Sequence, residues 1–335
     1  MKPKLRIHFC DFWRYFEPES NLFTQVLSNF YDLIPDAKNP DLLFFSLFGS
    51  KHNRYNCKKV LVIGENARPD FNICDYSLNF DYSDDPRSFR FPLYTLFGDP
   101  ELITVQRDPQ KILSEKTQFC NFVYSNPGSK LRVNFFKRLS QYKKIDSAGN
   151  YLNNVGTPVK DKLEFIKKYK FTIAFENESQ PGYTTEKIFD AFRAQSLPIY
   201  WGNELVDRDF NSEAFLNYYA FPNEDALIER IIEIDNNDAL YLDYISKPPF
   251  KGNIPNEFVN PKRVSGILET IAKTPILPVS ERLGFSSKNS FEKYLFFAKK
   301  DLIYEFRVFR KKIKNFNTDR LIVKLKKLKN RYNHQ

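Results

Sequence analysis

The groups in this chain that could do chemistry gather mainly in one stretch. Residues 171–203, FTIAFENESQPGYTTEKIFDAFRAQSLPIYWGN, run an apolar strand into Glu176 and Asn177. A loop with Pro181 and Gly182 follows, then a helix entrance at Tyr183-Thr184-Thr185-Glu186-Lys187, then a second apolar strand, LPIYW. Polar side chains thus collect where a strand ends and a helix begins. Open α/β sheets bind ligands at that edge, because first-turn N–H groups are unpaired and the helix dipole favours an anion. Lys187 opposes this dipole by about 0.3–1 kcal/mol, so its place fits best if a bound anion offsets it, and phosphate is the obvious candidate. The three histidines, His8, His52 and His334, leave little room for a His-based metal site or a Ser-His-Asp triad. The single DxD triplet, Asp207-Arg208-Asp209, has an Arg at its centre and makes a poor metal site. Chemistry here must run on carboxylates and cations.

Further candidates sit at other strand ends. Glu65 closes KKVLVIGEN (58–66), where a strand delivers side chains into a cleft. Arg132 lies at the start of a helix predicted over 129–143, after the triplet Ser125-Asn126-Pro127, and Arg suits bidentate phosphate contact. Asp11, Phe12 and Trp13 follow the first strand, LRIHF (5–9), in a loop whose aromatics could stack on sugar rings. Glu186 at the helix entrance could simply favour the dipole, and Asp190 with Arg193 reads as an ordinary surface pair. The role of Glu176 stays open.

These side chains need elements to hold them. Short apolar runs predict strands at 5–9, 41–48, 58–66, 76–80 and 91–97, with a helix over 22–34 whose apolar positions are Leu22, Val26, Phe30 and Leu33. The polar stretch 103–118 reads as a connection. A second series follows: strand 119–125, helix 129–143, helix 162–169, strands at 171 and LPIYW, strand NYYAF, and an amphipathic helix over 225–235. Strands alternating with helices in both halves predict an α/β chain with two parallel-sheet domains facing a cleft. The boundaries read as 1–115 and 116–285, with C-terminal helices over 286–335.

Composition narrows the class. With 42% hydrophobic and 27% charged residues in 335, the chain is globular and can bury one or two cores. No apolar run reaches transmembrane length, and the N-terminus lacks an apolar signal region, so a cytoplasmic location is expected. Cys10, Cys57, Cys74 and Cys120 form no CxxC pair and read as buried free thiols. The net charge of +10 is concentrated at the end: residues 303–335 hold eleven Lys or Arg against Glu305 and Asp319, or +9, which leaves +1 for the rest. Leu302, Phe306, Phe309, Ile313 and Phe316 recur at helical spacing, as do Leu321, Leu325, Leu328 and Tyr332. The first of these segments is expected to pack on the N-terminal domain. The second is expected to attach to an anionic membrane surface rather than to nucleic acid.

The block from Phe171 to Gly202 also resembles the signature of the α-1,3-fucosyltransferases (glycosyltransferase family 10). The matching residues are Phe175-Glu176-Asn177, Gly182-Tyr183, Thr185-Glu186-Lys187-Ile188, Asp190-Ala191-Phe192 and Pro198-Ile199-Tyr200-Trp201-Gly202. A second fragment is similar as well: Gly64-Glu65-Asn66, Pro69, Phe71-Asn72 and Asp75-Tyr76. The resemblance implies a GT-B fold of two Rossmann-like domains, and GDP-fucose as donor. It places Lys187 and Arg132 on the diphosphate, Glu186 on sugar or ribose hydroxyls, and Asn177 and Tyr183 on nucleotide and phosphate. Ser125 and Asn126 join them on the donor side, and Glu65 becomes the general base on the acceptor hydroxyl. One carboxylate opposite a departing phosphate predicts inversion. The implied acceptor is an N-acetylglucosamine-containing glycan of the LacNAc type, such as one on bacterial lipopolysaccharide, with Asp11, Phe12 and Trp13 beside it. No cofactor is required on this reading, and Mn or Mg is at most a stimulant. A different donor, an α-1,4 linkage, or a non-catalytic nucleotide- or glycan-binding protein attached to the inner membrane stay open.

Overall fold

The computed structural model describes residues 1–97, 99–276 and 278–279. The expected C-terminal helices at 302–316 and 319–335 lie outside these residues. Two fully parallel sheets are present. The first, in the order β2-β1-β3-β4-β5-β6, uses β1 (Lys4–Cys10), β2 (Asp32–Pro35), β3 (Leu42–Phe45), β4 (Lys58–Val62), β5 (Tyr76–Asn79) and β6 (Ser88–Arg90). The second, in the order β11-β10-β9-β7-β8, uses β7 (Gln118–Phe122), β8 (Ile145–Ser147), β9 (Tyr169–Phe175), β10 (Leu197–Trp201) and β11 (Leu216–Asn217). Central strands are buried on both faces, as LLFF and KKVLV are here, which is why they read as continuous apolar runs rather than alternating ones.

Local differences from the expected elements have physical causes. The helix predicted over 22–34 spans only Leu22–Leu27, opened by an Asn21–Thr24 capping box. Asp32–Pro35 leaves it to pair in parallel with β1 as an edge strand, where the missing N–H of Pro35 is tolerated. Leu33 happens to fall in phase with the helical repeat, so side-chain spacing alone could not separate the two. The strand predicted over 91–97 ends before it starts: pairing stops at Arg90, Pro92 lacks a donor, and Tyr94–Phe97 is helical. NYYAF contributes one strand residue, Asn217, before a tight turn at Tyr218–Ala220. The connection at 103–118 contains a helix, Pro109–Glu115, capped by Asp108.

The chain crosses back after the second sheet. The Pro261–Lys273 helix buries Val264, Ile267, Leu268 and Ile271 in the core of the first sheet, beside Leu5, Phe44 and Val60, although these residues fall within the sequence range 116–285. The two units also meet through a buried seam. Arg90 of β6 pairs with Asp209 at 2.8 Å, with both side chains at most 4% exposed, and donates to the Gly182 carbonyl at 3.1 Å. Its guanidinium lies between the rings of Tyr82 and Phe258, at 4.4 and 4.1 Å. Tyr94 and Ile103 enter one apolar cluster with Ile188, Phe189 and Phe192. Asp209 of the DxD triplet is therefore committed to holding the units together.

Candidate active site

Between the units lies a cavity of about 530 Å³. From the first unit it is lined by Glu65, three residues past β4, and by Trp13, Phe48, Gly64 and Leu93. From the second unit it is lined by Glu186, Asp190 and Arg193. Those three lie at i, i+4 and i+7 on the Glu186–Arg193 helix, hence on one face. The same spacing in the sequence could have assigned Asp190 and Arg193 to the site rather than to each other. Asp190 instead pairs with Lys162 at 2.7 Å. No hydrogen bond or ion pair among the described residues engages the carboxylate of Glu65 or the guanidinium of Arg193.

Glu176 is the hub behind the helix entrance. Its buried carboxylate accepts from the Thr185 N–H at 2.8 Å, the Thr185 hydroxyl at 2.8 and 2.9 Å, and Lys187 Nζ at 2.9 Å. The anion that offsets Lys187 against the helix dipole is thus supplied from within the fold. Gly202 makes room for it, because a Cβ there would come within 2.4 Å of Glu176 Cγ. Burial alone would pull the Lys187 ammonium down, but the Glu176 and Glu186 carboxylates hold it above the usual lysine range. Lys187 stays charged, and its side chain stays 14% exposed. Burial likewise pushes Glu186 up, yet Lys187 and Lys162 hold it lower than an ordinary glutamate, so it is ionised at the cavity wall.

Arg132 is a strut. Fully buried, it donates to Asn177 Oδ1 at 2.9 Å, to the Glu176 carbonyl at 3.3 Å and to the Asn126 carbonyl at 2.5 Å, with Tyr124 stacked 4.0 Å away. It ties the loop after β7 to the end of β9 and brings Arg132 and Lys187 onto one residue, Glu176. Ser125 and Asn126 are exposed on that loop, where Ser125 accepts from Asn150 Nδ2 at 3.0 Å. Tyr183 is buried with its ring edge against Phe80 of the first unit, at 4.8 Å. Burial raises its hydroxyl strongly, with Glu176 adding and Lys187 opposing, and Glu65 adds from across the cleft. Its neighbour Gly182 needs to be glycine: it has φ +84°, and a Cβ would meet the Phe80 carbonyl oxygen at 2.1 Å.

Of the three residues expected beside an acceptor, Trp13 lines the cavity. Asp11 turns inward, and its carboxylate accepts from the N–H of Lys51 and His52 and lies 2.8 Å from His52 Nδ1. Phe12 stacks on Phe16 at 3.8 Å and packs against the first-sheet core. Phe48, absent from the sequence expectations, stands at the cavity mouth, 42% exposed, with its ring 6.4 Å from Trp13. All four cysteines are buried and free.

Two parallel Rossmann-like sheets around a cleft, with carboxylates on both walls and a held cation at a helix entrance, define a GT-B glycosyltransferase architecture. Residues 7–97 match the alpha-(1,3)-fucosyltransferase FucT N-terminal domain, and residues 113–247 match the glycosyltransferase family 10 (fucosyltransferase) C-terminal part. The chain belongs to this fucosyltransferase family. It is 32% identical over 292 residues to the alpha-(1,3)-fucosyltransferase FucT of Helicobacter pylori, covering 74% of this chain and 60% of that protein's length. A crystal structure of an alpha1,3-fucosyltransferase with GDP superposes with a TM-score of 0.70 at 28% identity, over 82% of this chain and 92% of the other. The structure with GDP-fucose gives 0.68 at 29% identity, over 83% and 93%.

Proposed function

We propose that the protein is an inverting α-1,3-fucosyltransferase that moves L-fucose from GDP-fucose to the N-acetylglucosamine of a LacNAc-type glycan. The observation that carries this reading is the facing of Glu65 and Glu186 across one cavity, with the charge of Lys187 fixed behind the second wall. The Glu65 carboxylate takes the proton of the acceptor hydroxyl. The hydroxyl oxygen attacks the anomeric carbon, and the bond from that carbon to the β-phosphate oxygen breaks with its electrons leaving on GDP. Attack opposite the leaving group turns a β-linked donor into an α-fucoside. Lys187 meets the charge developing on the diphosphate, and Glu186 orients donor hydroxyls. Arg132 acts at one remove, by holding Asn177 and the loop of Ser125 and Asn126 where a nucleotide would lie.

The same reading places the enzyme in surface-glycan synthesis, such as that of lipopolysaccharide, at the cytoplasmic face of a membrane that the basic segment 319–335 would contact. No helix of the described residues is long and apolar enough to cross a membrane. The deciding experiment is turnover of GDP-fucose with N-acetyllactosamine by wild type and Glu65→Gln. Loss of a general base lowers kcat by about 10²–10⁴, and near-normal kcat would remove Glu65 from this role.

A further inference from the structure

Two loops meet across the rim of the cleft, one following β4 and one following β9. The first begins at Glu65. Ala67 N–H donates to the Glu65 carbonyl at 2.7 Å, so Glu65, Asn66 and Ala67 form a tight turn of the kind found at strand ends. Whatever holds Asn66, in the middle of that turn, also fixes the backbone that carries Glu65. Arg68 supplies part of the hold from the same unit. It donates to Asn66 Oδ1 at 3.3 Å and to the Ala67 carbonyl at 3.0 Å, and it pairs with Asp81 at 3.1 Å.

The second loop is anchored from behind. Asn177 Oδ1 accepts from Arg132 at 2.9 Å. Ser179 Oγ lies 2.6 Å from the Tyr219 hydroxyl, which donates to the Gly202 carbonyl at 3.4 Å. Glu178 stands between these two held residues with its side chain exposed. Its carboxylate reaches the other unit: Asn66 Nδ2 donates to Glu178 Oε2 at 2.5 Å. A hydrogen bond to an ionised acceptor is stronger than one between neutral groups. Here it joins two backbones that are already fixed, so little freedom is lost in making it.

Resting on the fucosyltransferase reading, we propose that Asn66 and Glu178 are positioning residues. Their hydrogen bond latches the two rims of the cleft and sets the Glu65 turn opposite the donor wall. The latch acts on the alignment of base and donor, and therefore on turnover rather than on donor binding.

The test measures amide hydrogen exchange over residues 64–69, together with kcat for GDP-fucose and N-acetyllactosamine, in wild type and variants. Glu178→Ala alters only the second unit, yet it should speed exchange in the first-unit turn about 2–10-fold, the worth of one exposed hydrogen bond. Both Glu178→Ala and Asn66→Ala should lower kcat about tenfold, with the KM for GDP-fucose within about twofold of wild type. The double Ala variant should be no slower than either single one, because both remove the same bond. Asn66→Asp keeps an acceptor for Arg68 but sets two carboxylates face to face, and it should be the slowest. Adding Glu178→Gln, whose amide can donate, should bring kcat back to within about threefold of wild type. Wild-type exchange at 64–69 in Glu178→Ala, additive losses in the double Ala variant, or no rescue in the swapped pair overturns the proposal. The exchange comparison needs no turnover. A wild type that transfers no fucose therefore overturns the fucosyltransferase reading, while the latch itself stands or falls on exchange.

Discussion

Glu176 and Lys187 form a 2.9 Å ion pair at the entrance of the Glu186–Arg193 helix, and that pair organises the second half of the site. The carboxylate is fully buried, while the lysine side chain keeps a small exposure. A cation that its own helix dipole disfavours is thereby locked in place and kept protonated.

Removing one partner leaves the other charged in a dry environment. Glu176→Ala should cost about 3–5 kcal/mol of stability, read by urea denaturation. Adding Lys187→Met should restore much of that stability while leaving donor turnover abolished. Equal stability of the single and double variants would refute the pairing argument.

Arg132→Lys keeps the charge and loses the fork. A lysine cannot reach the Asn126 carbonyl and Asn177 together, so at least one hydrogen bond from a charged donor is lost, at about 1.5–3 kcal/mol. The KM for GDP-fucose should rise more than that for the acceptor. A selective rise in acceptor KM would contradict the assignment of this loop to the donor side.

Asp11 supplies a pH-dependent contribution. Burial alone would raise its carboxyl, but hydrogen bonds from His52 and Lys51 bring it below the usual aspartate value. A depressed carboxyl stabilises the fold above its unfolded pKa, roughly 3.9, and loses that contribution as pH falls through the folded value. Asp11→Asn should therefore be less stable than wild type at pH 7, with the gap closing as pH drops below about 4. A gap that is constant from pH 7 to pH 3 would show that the ionised carboxylate is not the source.

Arg90 and Asp209 cross the seam between the units as a buried pair. Arg90→Met should destabilise by about 3–5 kcal/mol, and Arg90→Met with Asp209→Leu by much less, because the second change removes the stranded charge. Calorimetry of the two variants would decide it. An unchanged melting profile in Arg90→Met would mean the seam is held by its apolar contacts alone.

Much of the site was legible in the chain because it is local. The order strand, Glu176-Asn177, loop, Thr185-Glu186-Lys187, helix is one β-loop-α unit, and local order alone puts those side chains at a sheet edge. Glu65 was legible for the same reason, as a carboxylate just past a buried strand. The pairing of Lys187 with Glu176 was not legible, because Glu176 lies eleven positions earlier and meets it only after the chain reverses. The partner of Asp209 was hidden in the same way, since Arg90 lies 119 residues away. Phe48 carried no signal, since one Phe after an apolar run reads as more core.

Apolar runs and their punctuation determined two parallel sheets and which strand ends carry polar groups, since backbone pairing and burial act over a few residues at a time. Which of those groups would be spent on each other, and which left facing the cleft, was decided by tertiary packing. Charges and aromatics distant in sequence become partners only when the two units close, and desolvation then pairs some of them inside while leaving Glu65 and Arg193 at the open wall.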